Sequence, residues 1–318
     1  MITRQCYCRP IIYPLDKPVP DSTSVIVETE VLQIEARIDG PGDGRPVLLL
    51  HGWPDAPRGW RVMAEALQDA GCQTIIPALR GTAGTRFRSP ETPRDAQASA
   101  LAQDAVDLMD ALGVESAAVL GHDWGARAAY TIAALYPHRV SAIAALALAY
   151  QPRGVFAVPS FSQARAFWYQ WFLCLDQGAA AVSREPVAFA RLQWETWSPP
   201  GWYDDAEFAA TAESFRNPDW VPVTLNAYRS RFLEGEARDA RYGELARRLS
   251  EIETISVPTL MIQGAADYCD EPASSDGLDH YFSGGYRREV IDGIGHFPHR
   301  EAPGLVAESV LAHFRANT

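Results

Sequence analysis

Four short segments carry the side chains best suited to chemistry, and each follows a run of residues typical of a β-strand. They are "HGWP" (51–54), "GHDWG" (121–125), "GAAD" (264–267) and "GIGHF" (293–297). In chain order their reactive residues are Asp123, Asp267 and His296. Loops at the carboxyl ends of parallel strands gather at one edge of a sheet, so we expect these three side chains to meet there. The order fits a nucleophile, an acid and a base.

Asp123 lies between Gly121 and Gly125, where a predicted strand turns into a predicted helix. An aspartate in front of a helix is most often only a cap of the helix N-terminus. The flanking glycines and the downstream His296 favour a nucleophile instead. A carboxylate that attacks a carbonyl carbon would form a labile anhydride, whereas attack on a strained or halogen-bearing sp³ carbon gives a stable alkyl ester. His296, oriented by Asp267, can then activate water to hydrolyse that ester.

Some neighbouring residues are alternatives for these roles. Asp270 is a rival of Asp267 for the acid, and Glu271 is also near. His122 is another candidate base, but we expect it to pack or hydrogen-bond beneath Asp123. His299 is expected on the following turn, at the surface.

Three other polar residues lie near these segments. His51 has one expected role, which is to hold its loop by hydrogen bonds without touching a substrate. Arg80 and Arg127 are candidates for structural ion pairs, and they are also candidates for binding a carboxylate of a substrate. The sequence leaves these two interpretations of the arginines open.

The elements that must position these residues alternate along the chain. An alternating segment at 25–38 predicts an antiparallel strand pair, and helix-like segments then separate the buried strand runs. These runs are "PVLLLHG" (46–52), "CQTIIPAL" (72–79), "SAAVLG" (116–121), "VSAIAALAL" (140–148), "VPTLMIQG" (257–264) and "YRREVIDG" (286–293). Alternating strands and helices predict right-handed βαβ units, and therefore an α/β fold with a mostly parallel, doubly wound sheet.

The sequence pattern changes between 151 and about 251, where helix-favouring segments contain no clear strand. This region holds Trp168, Trp171, Trp194, Trp197, Trp202 and Trp220. Tryptophans of this kind most often form core or line a pocket. We predict a helical insertion at 151–251, between a first part of the sheet domain at 1–150 and a last part at 252–318. The stretch before Ser24 has no interpretation.

Over nearly its whole length the chain resembles the α/β-hydrolase superfamily, and within it the branch of epoxide hydrolases and haloalkane dehalogenases. "HGWP" and "GHDWG" match the epoxide-hydrolase side, and "ALRGTAG" (78–84) is similar to its usual "LRGYG" loop, with Thr82 and Ala83 in place of Tyr-Gly. The resemblance implies an α/β-hydrolase fold, a helical cap inserted after the sixth strand, Asp123 as nucleophile, and no cofactor or metal.

The same resemblance implies the remaining site residues. The backbone N–H groups of Trp53 and Trp124 would form the oxyanion hole. "FWYQWF" (167–172) and "LNAYRSRF" (225–232) resemble the two cap motifs of epoxide hydrolases, so that Tyr169 and Tyr228 would donate hydrogen bonds to the oxygen of the opening ring. The residues expected to line the substrate pocket are Trp124, Gln170 and Trp168.

The predicted function is therefore hydrolysis of an epoxide to a vicinal diol, with a small hydrophobic epoxide and water as the partners. One alternative is a haloalkane or haloacetate dehalogenase with the same nucleophile, in which Trp124 would bind the halide and Arg127 a carboxylate. A second alternative, of another class, is a non-catalytic receptor that uses the pocket only to bind a ligand.

Composition and charge exclude other classes of protein. The 318 residues are 47% hydrophobic and 21% charged, as in ordinary globular domains. A net charge of −12 argues against nucleic acids and anionic membranes as partners, and we find no apolar run long enough for a signal peptide or a membrane span.

The five cysteines include Cys6 and Cys8 without a second metal-binding pair, so we expect free thiols and a cytoplasmic protein. The oligomeric state stays open, with a homodimer as one alternative.

Overall fold

A nine-stranded sheet forms the centre of the molecule. The structure, a computed structural model, describes residues 24–154, 156 and 159–317; the Cys6 and Cys8 pair lies outside them. The strands are β1 (Ser24–Glu28), β2 (Leu32–Asp39), β3 (Arg45–Leu50), β4 (Cys72–Pro77), β5 (Arg86–Phe87), β6 (Ala117–His122), β7 (Val140–Leu146), β8 (Thr259–Gly264) and β9 (Tyr286–Ile291). Their spatial order is β1-β2-β4-β3-β6-β7-β8-β9, and β5 pairs with β2.

The sheet is mostly parallel, as predicted. β3 pairs in parallel with β4 and β6, and the parallel pairing continues through β7 and β8 to β9. β2 is antiparallel to β1, β4 and β5. The central strands read as unbroken apolar runs because both faces of a parallel sheet are covered. The side chains from Val47 to Leu50 in β3 are accordingly fully buried.

Helices cover both faces of this sheet. They are α1 (Arg61–Asp69), α2 (Ala98–Ala111), α3 (Trp124–Leu135), α4 (Phe161–Ala166), α5 (Trp168–Cys174), α6 (Asp176–Arg184), α7 (Pro186–Trp197), α8 (Asp205–Ala212), α9 (Trp220–Arg229), α10 (Gly243–Glu251), α11 (Pro298–Glu301) and α12 (Pro303–Ala316). α1 and α12 share one hydrophobic core, with Met63 and Val310 in it. α2 and α3 belong to the other core, through residues such as Leu108 and Ile132. The sheet is therefore doubly wound.

A long helical segment separates β7 from β8. In the part of the chain that the structure describes, this segment contains α4 to α10 and no strand of the sheet. Apart from the two-residue β5, the segment follows the sixth strand in chain order. The tryptophans of this segment split between two environments: Trp194 and Trp197 are buried, whereas Trp168 is 37% exposed.

One strand boundary and one short strand differ from the sequence prediction. The apolar run at 140–148 leaves the sheet after Leu146, because Ala147 takes a positive φ of 58° that a strand cannot continue through. β5 was not predicted, since two residues carry no periodic signal. Among the described helices, none is long and apolar enough to cross a membrane. Cys72, Cys174 and Cys269 are free thiols.

Candidate active site

Asp123 occupies a sharp turn between β6 and α3. Its φ of 48° and ψ of −111° are rare for a residue with a side chain, and a conformation of this kind costs on the order of 1–3 kcal/mol. The turn also needs its two glycines. A Cβ atom on Gly121 would lie 2.2 Å from the carbonyl oxygen of Gly125, and one on Gly125 would lie 2.0 Å from that of Leu50. This close packing is the physical reason for glycine on both sides of Asp123.

His296 lies between two carboxylates. Its Nδ1 is 2.9 Å from Oδ2 of Asp267, and its Nε2 is 3.7 Å from Oδ2 of Asp123. The other oxygen of Asp267 accepts the backbone N–H groups of Cys269 and Asp270, at 2.8 and 3.0 Å. All three predicted residues therefore meet at the carboxyl edge of the sheet, and their side chains are buried.

Asp270, the rival of Asp267, faces elsewhere. Its Oδ2 accepts the backbone N–H of Ala149 at 3.2 Å, and no hydrogen bond joins it to His296. Burial, and then repulsion by Asp267, raises the pKa of Asp270 to about 7. Of the two aspartates, the structure brings only Asp267 into contact with the imidazole.

The two carboxylates control the charge of His296. Burial lowers the pKa of His296, but the charges of Asp267 and Asp123 and their hydrogen bonds outweigh burial and raise this pKa to about 10. Burial raises the pKa of Asp123, and contact with His296 outweighs it, so that the pKa is lowered overall. At neutral pH the resting site therefore holds an imidazolium next to an ionised Asp123.

This charge state makes the stability of the fold depend on pH. A histidine whose pKa rises from 6.5 to about 10 on folding stabilises the folded state fully below about pH 6.5, and this contribution is lost as the pH rises toward 10. We expect the free energy of unfolding of the wild type to fall by a few kcal/mol between about pH 7 and pH 10. Urea denaturation at several pH values across this range measures how the free energy of unfolding changes with pH.

The matched variant is Asp123→Asn, which removes one of the two carboxylates that hold the proton on His296. The variant should lose less stability than the wild type over the same pH range, because its imidazole gives up the proton at a lower pH. Parallel curves for the two proteins would contradict the proposed coupling between Asp123 and His296.

A backbone N–H group contacts the carboxylate of Asp123. The N–H of Trp53 donates to Oδ1 of Asp123 at 2.8 Å. Trp124 is the first residue of α3, and the first N–H groups of a helix have no acceptor within the helix. The indole rings of Trp53 and Trp124 stack with their centroids 6.0 Å apart, and the Trp53 indole donates to Oγ1 of Thr224 at 2.8 Å. The loop at 51–54 is thereby tied to α9.

Tyr169 on α5 and Tyr228 on α9 face each other near this carboxylate. Their ring centroids are 5.3 Å apart and the rings are nearly perpendicular, and Tyr228 also meets the ring of Trp53 edge-on at 5.2 Å. The Tyr228 hydroxyl accepts the indole N–H of Trp124 at 3.2 Å. Burial raises the pKa of both tyrosines, and the charge of Asp123 adds to this effect. Both hydroxyls are therefore protonated at neutral pH.

The two other predicted pocket residues have different surroundings. The side-chain amide of Gln170 is buried and donates to the Tyr169 hydroxyl at 3.2 Å. Trp168 is 37% exposed and packs against Phe172 and Phe189. The structure does not bring Trp168 into the site, because adjacent residues of a helix point about 100° apart and Tyr169 takes the inward direction.

The histidines near the site are all buried in the structure. His122 meets the carbonyl oxygen of His296 at 2.8 Å, and His51 meets that of Gly52 at 2.9 Å. The N–H of Leu79 donates to the other ring nitrogen of His51 at 3.0 Å, so this imidazole holds the loop at 51–54. These positions agree with the expected packing beneath Asp123 and with the expected anchoring of the loop.

The expectation that His299 lies at the surface is wrong. His299 is 1% exposed, and its Nε2 is 3.1 Å from Oδ2 of Asp55. Asp55 also pairs with Arg300 at 2.6 Å. Sequence reasoning missed this buried cluster, because "HFPHRE" carries no signal for a carboxylate 244 residues away. Asp55, His122 and His299 bring three possible metal-ligand atoms within 4.8 Å of one another, but the charge of Arg300 next to Asp55 opposes a cation there.

Arg80 is a structural residue. Its guanidinium is buried and pairs with Asp104 at 2.6 Å, and it donates to the Tyr242 hydroxyl at 2.9 Å. Of the two interpretations that the sequence left open for this arginine, the ion pair is the one that the structure supports.

Comparison with known proteins shows which chains this protein is similar to. The family model described as alpha/beta hydrolase fold matches residues 45–303. Epoxide hydrolase A of Mycobacterium tuberculosis is 30% identical, over 91% of this chain and 96% of that protein. A Klebsiella pneumoniae protein provisionally described as an epoxide hydrolase has a crystal structure that covers 92% of this chain and 97% of its own, with a TM-score of 0.85 and 36% identity. For Epoxide Hydrolase A from Mycobacterium thermoresistibile the TM-score is 0.76 and the identity 26%, over 93% of this chain and 99% of that one.

Proposed function

Since this chain belongs to the alpha/beta hydrolase fold family, it is a hydrolase, and we propose that it adds water to an epoxide to give a vicinal diol. The observation that carries the proposal is the pair of protonated tyrosines, Tyr169 and Tyr228, over the ionised Asp123. An epoxide needs this combination of groups, because its departing alkoxide is a poor leaving group and requires a proton donor. Similarity to epoxide hydrolases over nine-tenths of the chain supports the same reaction.

The first step is opening of the ring by Asp123. Oδ1 of Asp123 accepts the N–H of Trp53, which leaves Oδ2 to attack an epoxide carbon. The carbon–oxygen bond of the ring breaks, and the epoxide oxygen takes a proton from Tyr169 or Tyr228. The product is a hydroxyalkyl ester of Asp123. This ester no longer carries the negative charge that helped to hold the proton on His296.

The second step is hydrolysis of that ester. The imidazolium of His296 is an acid within the site that can return a proton to the tyrosinate, and the neutral imidazole that remains is a base. It takes a proton from water, whose oxygen attacks the carbonyl carbon of the ester. The oxyanion that forms on Asp123 is stabilised by the N–H groups of Trp53 and Trp124. In the collapse of this intermediate the bond between the carbonyl carbon and the substrate oxygen breaks, and the departing alkoxide takes a proton from the imidazolium. The carboxylic acid of Asp123 then gives its proton to the imidazole, so that the diol leaves and both the carboxylate and the imidazolium are restored.

Asp267 positions the imidazole and stabilises its charge. Its contact with Nδ1 directs Nε2 toward Asp123, and two backbone N–H groups hold the carboxylate in place. Gln170 positions Tyr169 through its side-chain amide. We assign 151–251 as a cap domain over a core formed by 1–150 and 252–318, since α5 and α9 supply the two tyrosines. The free thiols support a cytoplasmic location.

The dehalogenase alternative has weaker support. A halide site would use the indole N–H of Trp124, but this group donates to Tyr228. A tyrosine pair is also unnecessary for a halide, which leaves without a proton.

Tyrosine variants test the proposed reaction. We expect Tyr169→Phe and Tyr228→Phe each to lower kcat for styrene oxide by about 10²-fold, because each removes a proton donor to the alkoxide. The double variant should show no measurable diol formation. Chiral chromatography of the diol measures the rates. The control is Tyr136→Phe, whose hydroxyl bonds Gln103 at the far end of α3. Undiminished epoxide turnover in both single variants would contradict the assigned roles.

A further inference from the structure

Two arginines flank the tyrosine pair. Arg127 lies on α3 one turn after Asp123, and its backbone N–H donates to the carbonyl oxygen of Asp123 at 3.0 Å. Arg231 follows α9, and its guanidinium carbon lies 5.1 Å from the ring centroid of Tyr228. Nη1 of Arg231 donates to the side-chain oxygen of Gln170 at 3.2 Å. The side chain of Arg231 thus contacts two residues of the proposed active site, and Arg127 is hydrogen-bonded to a third through its backbone.

Neither arginine has an acidic partner among residues 24–154, 156 and 159–317. Nε of Arg127 and Nη2 of Arg231 are buried without any hydrogen-bond acceptor. Two other arginines that are buried or half-buried have acidic partners. Arg80 contacts Asp104, and Arg229, next to Tyr228, contacts Glu236 at 2.6 Å. Buried guanidinium groups without a counter-ion are unfavourable, so these two arginines would gain from an anionic partner.

The two positive charges act on each other and on Tyr228. Burial lowers the pKa of Arg231, and the charge of Arg127 adds to this effect, to about 10. Burial raises the pKa of Tyr228, while the charges of Arg231 and Arg127 oppose that rise. The chain as a whole carries −12, so an anion is repelled in general and is attracted at this point by these two groups.

We propose that Arg127 and Arg231 bind a carboxylate on the substrate, which makes the preferred substrate an epoxide with a carboxylate a few atoms from the ring. The inference rests on the proposed function, because it names the substrate class of that same site. Residues four apart on a helix are about 6 Å apart along its axis and share one face. Since helical side chains tilt toward the N-terminus, we expect the side chain of Arg127 to extend toward Asp123, so that a short epoxy acid contacts both.

Arg127 also borders a small cavity, which Thr131, Tyr150 and Gln151 line with it. Nε of Arg127 has no hydrogen-bond acceptor among the described residues, so it is free to meet a carboxylate. A different role for the two arginines is to assist the Tyr228 hydroxyl alone. In that case their loss would affect charged and neutral epoxides equally, which separates the two explanations.

Binding of unreactive analogues tests the anion site without any turnover. The probes are 2-phenylcyclopropane-1-carboxylate and its amide, in which a cyclopropane replaces the epoxide. By calorimetry we expect the wild type to bind the carboxylate at least tenfold more tightly than the amide. Arg127→Gln and Arg231→Gln should each reduce this ratio to less than threefold. The control is Arg216→Gln, an exposed arginine of the helical insertion that pairs with Glu213. Equal binding of the two probes to the wild type would overturn the proposal.

Turnover separates failure of this inference from failure of the proposed function. With 3-phenylglycidate and 3-phenylglycidamide, each arginine variant should lose at least tenfold in kcat/KM for the acid and less than twofold for the amide. Equal losses for both substrates would overturn the carboxylate site and leave epoxide hydrolysis standing. If neither epoxide gives a diol while the acid probe still binds selectively, the reaction assignment fails and the anion site stands.

Discussion

Incubated with an epoxide, the His296→Gln variant is expected to gain the mass of one whole epoxide molecule, located on Asp123. Asp123 stays able to attack, because its Oδ1 remains held by the N–H of Trp53. Hydrolysis of the ester loses its base, so diol formation should fall by about 10³-fold or more. Intact-protein mass spectrometry followed by peptide mapping measures the adduct and its position.

The kind of adduct discriminates between the reactions that the site could perform. The same variant is also incubated with a haloalkane or a haloacetate. A gain in mass equal to that substrate minus its hydrogen halide, with no adduct from the epoxide, would make the protein a dehalogenase. Tyr169 and Tyr228 would then only line the pocket. The control variant is His138→Gln, which changes a histidine in the short turn after α3, away from the site. It should turn over like the wild type and carry no adduct.

Asp123→Asn is expected to abolish turnover, with kcat reduced by about 10⁴-fold or more, because no other step of the reaction can proceed without the ester. The amide keeps the size of the side chain and an oxygen that can accept the N–H of Trp53. Binding of the cyclopropane analogue should therefore remain within a few-fold of the wild type. Calorimetry measures the affinity for the analogue, and diol analysis on the same preparation measures kcat.

The control for Asp123→Asn is Asp110→Asn, an exposed aspartate at the end of α2 that pairs with Arg139 on the surface. Full turnover by Asp123→Asn would exclude this residue as the nucleophile. A wild type that binds the analogue but converts no epoxide or halide would support the receptor alternative, in which Asp123 serves only the shape of the turn.

Local signals were sufficient for the architecture. Uninterrupted apolar runs such as 46–50 predicted buried parallel strands, because such strands are covered on both faces. Glycines at 121 and 125 between a predicted strand and a predicted helix indicated the sharp turn at Asp123. The structure shows the reason, because a Cβ atom at either position would collide with backbone. The order of the strand-end loops then predicted that Asp123, Asp267 and His296 would meet.

Other features of the site depend on contacts between distant segments. Asp267 and Asp270 are three residues apart in one loop, and only the path of that loop decides which carboxylate meets His296. Trp168 and Tyr169 are neighbours in α5, and only the packing of this helix decides which ring turns inward. The sequence favoured Asp267 as the acid and placed both Trp168 and Tyr169 in the site. It could not determine these orientations, because they depend on the path of the loop and on the packing of the helix.

Ion pairs also depend on contacts between distant segments, which the sequence does not show. Arg80 and Arg127 looked alike in the sequence, yet Arg80 has Asp104 on α2 as its partner and Arg127 has no carboxylate among the described residues. His299 looked exposed, but Asp55 reaches it from the loop after β3. By itself the sequence determined the strands other than the two-residue β5, the turn at Asp123 and the residue types of the site, because these follow from short-range periodicity and sterics. The tertiary structure alone decided the partners and burial of each charge, because these depend on which distant segments come together.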